Sequence, residues 1–332
     1  MARVTLGDIA SKLNVSKNTV SKALRGAAGV SDSLRKDIIK VAKDMGYEKT
    51  NSNSLISNIT VLCRKTFLAD VTFWPQVLYG INHYAGNNNI KLSIEGIDES
   101  KEESLEITSS IGGHLNEGFI IVGTISDALL KKIKDANNPM VVVDHFSEEI
   151  ECDYINSSNK IGIYKSIKHL YENGHRNIGF ISNCISAYSF IERFEAYTKY
   201  MKEFGLPIDE DFIWLEASYY DTQYLKDRIK STKRKENFPT AWICVNDTTA
   251  IIFMKALTDM NIMVPNDASV IGFDNISELL YPGLTTVDVP KQAMGERAVE
   301  MLIERIKNPD KPYESICLNT QLIVRDSVKN IL

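Results

Sequence analysis

Two kinds of periodicity predict a small all-α headpiece joined to a larger α/β body built of two doubly wound parallel sheets. Residues 1–46 place their apolar side chains at helical spacing. From Ile59 onward, short β-rich runs alternate with amphipathic helical stretches, the pattern of βα units. Runs such as Phe119-Ile120-Ile121-Val122 and Val141-Val142-Val143 are apolar on both faces, as strands covered by helices on both sides require.

In the headpiece, Ile9, Ala10 and Leu13 form one apolar stripe and Val20, Ala23 and Leu24 a second, with a break at Asn14. Two short amphipathic helices separated by such a break form the pattern of a helix-turn-helix, though an ordinary helical hairpin fits the same stretch. Off its apolar stripe the second helix carries Lys17, Asn18 and Lys22. These side chains can donate to guanine O6/N7 or pair bidentately with adenine. Ser16, Thr19 and Ser21 offer hydroxyls to phosphates, and Ser16 is also a natural N-cap. A turn over 26–29 and a second N-cap candidate, Ser31, lead to a third helix that Gly46 closes. The polar, Ser/Asn-rich stretch 48–58 reads as a linker whose only apolar residues are Leu55 and Ile56.

In the body, candidate strands fall at 59–63, 90–94, 118–123, 140–144, 177–182, 213–217, 240–245 and 269–274. Candidate helices fill 74–87, 102–115, 126–136, 159–173, 188–205, 221–235 and 247–261. About eight units fit two sheets of four to six strands better than one, with a closed barrel as the competing arrangement. The stretch Cys152–Asn156 reads as the passage between lobes. After Asp274 come strand material at 284–289, a helix at 291–307 and a last strand region at 316–324, too short for a third lobe. The expected division is a headpiece over 1–47, a hinge over 48–58 and a body over 59–332. Within the body, lobe one spans about 59–156 plus 287–315, and lobe two 157–286 plus 316–332.

Composition is that of a water-soluble globular chain, with 44% apolar and 24% charged residues. No apolar run reaches the length of a membrane span, and no secretory leader precedes the headpiece, so a cytoplasmic protein is expected. The five cysteines are scattered through apolar runs and lack metal-ligand spacing, which predicts buried free thiols and no metal or other cofactor. The net charge of −5 conceals an asymmetry: residues 1–49 hold ten Lys/Arg against five Asp/Glu, a net of +5, leaving −10 for the remainder. A basic head on an acidic body predicts that only the head meets a polyanion.

The order of motifs resembles the LacI/GalR family of bacterial transcription regulators. The resemblance rests on Val4-Thr5-Leu6-Gly7-Asp8-Ile9-Ala10, Val15-Ser16, Thr19-Val20-Ser21, Val30-Ser31 and Gly46-Tyr47. It continues through His169-Leu170, Gly174-His175-Arg176-Asn177-Ile178, Arg193, Asn246-Asp247, Val270-Ile271-Gly272-Phe273-Asp274, Leu284-Thr285-Thr286-Val287 and Pro290. It implies a helix-turn-helix headpiece, a hinge and a two-lobed periplasmic-binding-protein-like sensor whose lobes are joined by three crossovers. It further implies a homodimer on a palindromic double-stranded operator, touching DNA through Thr5, Ser16, Lys17, Asn18, Thr19, Ser21, Lys22 and Ser31. Lys22 stands where the family usually has arginine, and the proline and Ala-Arg of typical hinges are missing after Tyr47. Leu55 or Ile56 is then the candidate minor-groove wedge.

Ligands of open α/β sheets bind at the carboxyl ends of strands. Phe73-Trp74 follows the first strand and offers aromatic faces to a sugar, core packing being the alternative. Asp144-His145, Asn246 and Asp274 end strands, while Ser189 and Arg193 lie one turn apart in a helix. The resemblance implies that Arg193, Asn246 and Asp274 bind an effector, a sugar foremost and otherwise a purine or another polar metabolite. No catalytic triad order, paired carboxylates or phosphate-binding glycine loop is present, so an enzyme is not expected. A sugar-binding or sugar-modifying protein with a basic head is the competing reading.

Overall fold

The computed structural model describes residues 6–25, 30–45, 56–106, 117–182, 187–216, 222–233, 237–276 and 282–332. Outside them lie Thr5, the turn over 26–29, the Gly46 cap, the linker up to Leu55, most of the helix expected at 102–115, and Cys184. The chain forms two compact units, Met1–Ser54 and Leu55–Leu332.

Among its described residues the first unit holds three helices, α1 (Leu6–Leu13), α2 (Lys17–Arg25) and α3 (Asp32–Asp44). Asn14, at φ +51, breaks the first helix from the second, as a residue tolerant of the left-handed region can. Ser16 caps α2, its Oγ accepting from the Thr19 N–H at 3.0 Å. Ser31 does the same for α3 through Leu34 N–H at 3.5 Å. Ile9, Ala10, Val20, Ala23, Ile38 and Ala42 close a core between the helices.

In the second unit β1 (Asn58–Arg64) is followed by the short α4 (Lys65–Leu68), then α5 (Trp74–Asn87), β2 (Lys91–Ile97) and α6 (Glu99–Glu103). Next come β3 (Glu117–Val122), α7 (Asp127–Asp135), β4 (Met140–Val143), β5 (Asp153–Ser157) and α8 (Asn159–Glu172). They lead to β6 (Ile178–Ile181), α9 (Tyr188–Glu203), β7 (Ile213–Trp214), α10 (Thr222–Thr232), β8 (Ala241–Cys244), α11 (Asp247–Asp259) and β9 (Ser269–Asp274). The tail adds β10 (Thr285–Asp288), α12 (Lys291–Lys307), β11 (Ser315–Leu318) and β12 (Gln321–Ile323).

The strands form two six-stranded sheets, ordered β2-β1-β3-β4-β5-β11 and β7-β6-β8-β9-β10-β12. Every pairing is parallel except β10 with β12. Two open sheets exclude the closed barrel. In each, the order reverses beside its first strand, β1 in one and β6 in the other, which opens a crevice at the carboxyl ends.

Several local expectations are corrected. Cys152–Asn156 does not lead from one lobe to the next: β5 pairs with β4 and β11 inside the first sheet. The chain crosses just after it, between Ser157 and Asn159, and again between Asp288 and Lys291 and between Leu318 and Gln321. The last crossing thus falls beyond Leu318 rather than at residue 316. The helix expected from 102 starts at Glu99 because Asp98 caps it, and Leu105 at φ +54 ends it. Among the cysteines, Cys63, Cys152 and Cys244 are buried free thiols, whereas Cys317, on edge strand β11, is exposed. α12 belongs to the first lobe and lies against α5 so closely that a Cβ on Gly295 would sit 2.1 Å from Val77 O.

Candidate functional site

The carboxyl ends of both sheets meet in one cleft of about 580 Å³. The first lobe contributes Arg64 ending β1, Gly123 and Thr124 after β3, and Asp144 after β4. The second contributes Ser189, Phe190 and Arg193 on α9, Asn246 and Thr248 after β8, and Asp274 ending β9. The size suits a small organic ligand.

Arg193 is the centre of this floor and is only 1% exposed. Its Nε donates to Asn159 Oδ1 at 2.8 Å and its Nη1 to Val245 O at 2.8 Å. Its Nη2 lies 3.1 Å from Asp274 Oδ1, and its guanidinium lies 3.7 Å from the centre of the Phe273 ring. A buried guanidinium needs such partners on each edge of its fork. Asp274 sits at φ +101, a strained position for a residue with a Cβ, and such strain concentrates at binding sites. Buried Lys291, at the second crossing, donates to the carbonyls of Asp274 and Val289.

The carboxylates differ in environment. Asp144 is buried, and Ser189 Oγ reaches its Oδ2 at 3.5 Å while Oδ1 meets no donor among the described residues. Burial pushes its carboxyl up to about 7, with Arg193 opposing and Asp274 reinforcing the rise. Asp274 is raised by burial too, against the pull of Arg193 and Lys291. Asp247 is pushed up to about 7 by burial, opposed first by its Thr286 hydrogen bond. Its carboxylate accepts from Thr286 Oγ1 at 2.5 Å and Ile276 N–H at 2.9 Å, tying strand β10 to the loop after β9. Gly272 leaves room for it, since a Cβ there would lie 2.1 Å from Asp247 Oδ1.

The opposite wall is aromatic. Trp74 stacks on Phe67 at 4.8 Å and 26° and meets Phe73 edge-on at 4.8 Å. Asp70 holds this wall in place: its Oδ2 accepts from Phe73 N–H at 2.9 Å and Trp74 N–H at 3.0 Å, and its Oδ1 accepts from Thr72. A carboxylate at a helix start is stabilised by the free N–H groups there, and its pKa is accordingly lowered by these hydrogen bonds against burial.

Phe73, Trp74, Asp144, Ser189, Arg193, Asn246 and Asp274 therefore share the cleft, whereas His145 does not line it. The His145 ring is buried behind the first-lobe loops, and its carbonyl accepts from Asn156 Nδ2 at 3.2 Å. Asn246 also caps α11, its side chain accepting from Thr249 N–H at 2.9 Å. Phe67, Asp70 and Asn159 are site residues that sequence reasoning missed. Asp70 was signalled by an acid just ahead of Trp74-Pro75, a helix-start pattern. Phe67 lies in a one-turn helix with no periodicity to mark it.

In the headpiece, Ser16, Lys17 and Lys22 are exposed and Thr19 is half-buried. The side chains of Asn18 and Ser21 lie outside the described residues. Ile56 is no wedge: it is 1% exposed and packs in the core of the second unit with Ile59 and Val61.

Residues 5–50 match the family described as bacterial regulatory proteins, lacI family, and residues 167–328 match the periplasmic binding protein-like domain. A transcriptional repressor PurR of Vibrio parahaemolyticus is 29% identical over 98% of this chain and 99% of its own length. The cellobiose complex of the regulator CelR superposes with a TM-score of 0.72 at 21% identity, over 98% of this chain and all of that one. The lac repressor dimer bound to operator and the anti-inducer ONPF gives 0.69 at 21% identity, over 99% and 100%. A helix-turn-helix headpiece followed by a periplasmic-binding-protein-like body is the arrangement of these regulators. The headpiece thus matches the lacI family of bacterial regulatory proteins, and the chain is similar to repressors over nearly its whole length.

Proposed function

We propose that the interlobe cleft binds a small effector, a sugar foremost, and that this binding sets the affinity of a cytoplasmic homodimer for a palindromic operator. One observation carries the reading: the carboxyl ends of two independent sheets converge on a single cleft, with a polar floor at Arg193 and Asp274 facing the Phe67–Trp74 stack. Such a site binds and orients hydroxyl groups, and the reading assigns it no turnover. The likeness to a cellobiose-bound regulator and to an operator-bound dimer supports it. The stacked aromatic wall would hold a planar base equally well, which keeps a purine as the second reading.

Lys17, Asn18 and Lys22 read base edges in the major groove, while Thr5, Ser16, Thr19, Ser21 and Ser31 contact phosphates. Ser16 and Ser31 serve as caps as well, so their hydroxyls do two tasks. With Ile56 in the core, Leu55 is the remaining candidate for a minor-groove wedge. The mechanism is a population shift: ligand favours the closed lobes because only then do both touch it. Closure shifts the first lobe, to which the headpiece is joined in sequence, against its dimer mate. The test is a thermal-shift screen of the full chain against sugars and nucleobases, followed by operator binding with each compound that stabilises it. Compounds that stabilise the chain without altering operator binding would contradict the reading.

A further inference from the structure

The charges around the cleft restrict what can enter it, and this restriction rests on the effector reading above. Two cations line the space, and both are already neutralised. Arg64 is held bidentately by Glu102, Nε to Oε2 at 3.0 Å and Nη2 to Oε1 at 3.1 Å. Arg193 is paired in charge with Asp274 and also bonds Val245 O and Asn159. The third nearby cation, Lys291, is directed at carbonyls behind Asp274. Against these three stand five carboxyls: Asp70, Asp144 and Asp274 in the lining, with Glu102 and Asp247 behind it. The segments 183–186, 217–221 and 277–281, which follow β6, β7 and β9 in the chain, contain no lysine or arginine. They add no cation to this balance.

The polar side-chain atoms left without a hydrogen bond in the described lining are acceptors, Asp144 Oδ1 and, ion-paired with Arg193, Asp274 Oδ1. Asp144 Oδ1 is buried at the cleft and has no donor among the described residues. An unmet buried carboxylate oxygen is costly, and a ligand hydroxyl or N–H placed there removes that cost. Above about pH 7, where Asp144 is ionised, a ligand carboxylate or phosphate would instead face it with no unpaired cation lining the cleft among the described residues to offset the repulsion.

We infer that the effector is an uncharged or cationic molecule that donates a hydrogen bond to Asp144 Oδ1, and that uronates, sugar phosphates and nucleotides are rejected by this cleft. The discrimination against an anion of otherwise equal shape is on the order of 100-fold in Kd or more. Asp144 at φ +56 occupies the left-handed region, which asparagine also accepts, so Asp144→Asn retains the fold while removing the repulsion.

The experiment is thermal unfolding of the full chain with matched neutral and acidic compounds at millimolar concentration. The pairs are glucose with glucuronate, galactose with galacturonate, ribose with ribose phosphate, and adenosine with its monophosphate. Stabilisation by a neutral member without its acidic partner is expected, and titration of that pair against Asp144→Asn should narrow the Kd gap at least tenfold. Stabilisation by an acidic member equal to or above its neutral partner, or an unchanged gap in Asp144→Asn, overturns the inference and leaves the cleft as effector site. No stabilisation by any member overturns the inference and the effector reading together.

Discussion

Arg193 and Asp274 form a buried ion pair across the floor of the cleft, Nη2 to Oδ1 3.1 Å apart, with the Phe273 ring beneath the guanidinium. The pair also touches two of the three lobe crossings, through Asn159 at the first and Lys291 at the second. A ligand bound to this pair therefore acts on groups that are bonded to the crossings themselves.

Replacing Arg193 by Met leaves Asp274 buried beside Lys291 alone. Loss of one partner of a buried pair costs about 3–5 kcal/mol. Urea unfolding of Arg193→Met should show a loss of that size. A loss below about 1 kcal/mol would mean that water or Lys291 already satisfies Asp274.

Asp144 makes stability depend on pH. Its folded carboxyl titrates near 7, above the unfolded value of about 4. The folded state therefore holds a proton that the unfolded state has released, and stability is complete below about pH 4 and falls as pH rises towards 7. Asp144→Asn removes this dependence. Without ligand, the variant should gain on the parent by at most about 4 kcal/mol at pH 8 and by much less at pH 5. Equal differences at both pH values would show that Asp144 does not titrate there.

Gly295→Ala places a methyl group against the backbone of α5, 2.1 Å from Val77 O. Neither backbone can yield without moving a helix, so a loss of about 1–3 kcal/mol or more is expected. Because α5 begins at Trp74, the tryptophan fluorescence of the variant should shift as well. A variant as stable as the parent, with an unchanged spectrum, would show that the helix pair tolerates separation.

Lys22→Ala should weaken binding to the specific operator by about 1–3 kcal/mol while changing affinity for random DNA much less. Equal losses on both would make Lys22 a phosphate contact.

The fold was legible because period and burial agree. Val141–Val143 is apolar on both faces and is an interior strand buried on both sides. β5 was missed because Asp153-Tyr154-Ile155-Asn156-Ser157 carries polar residues at buried positions. Asp153 is tolerated there by the Arg305 fork, Nε to Oδ2 at 2.8 Å and Nη2 to Oδ1 at 2.9 Å, a partner 152 residues away. The strand-end site residues Asp144, Asn246 and Asp274 were readable from position alone. Phe67 and Asn159 were not, since each acts through a neighbour, Trp74 and Arg193, that only the folded chain supplies. Ile56 misled because its polar neighbours in sequence say nothing of the apolar core it enters.

The central claim is that occupancy of the cleft controls the headpiece. The direct measurement is operator affinity of the parent and of Asp274→Asn, with and without a compound that stabilises the parent. The parent should change affinity about 5–150-fold on adding the compound, and Asp274→Asn should bind operator yet show no change. A parent that binds operator equally with and without the compound, or a variant that responds as fully as the parent, would contradict it.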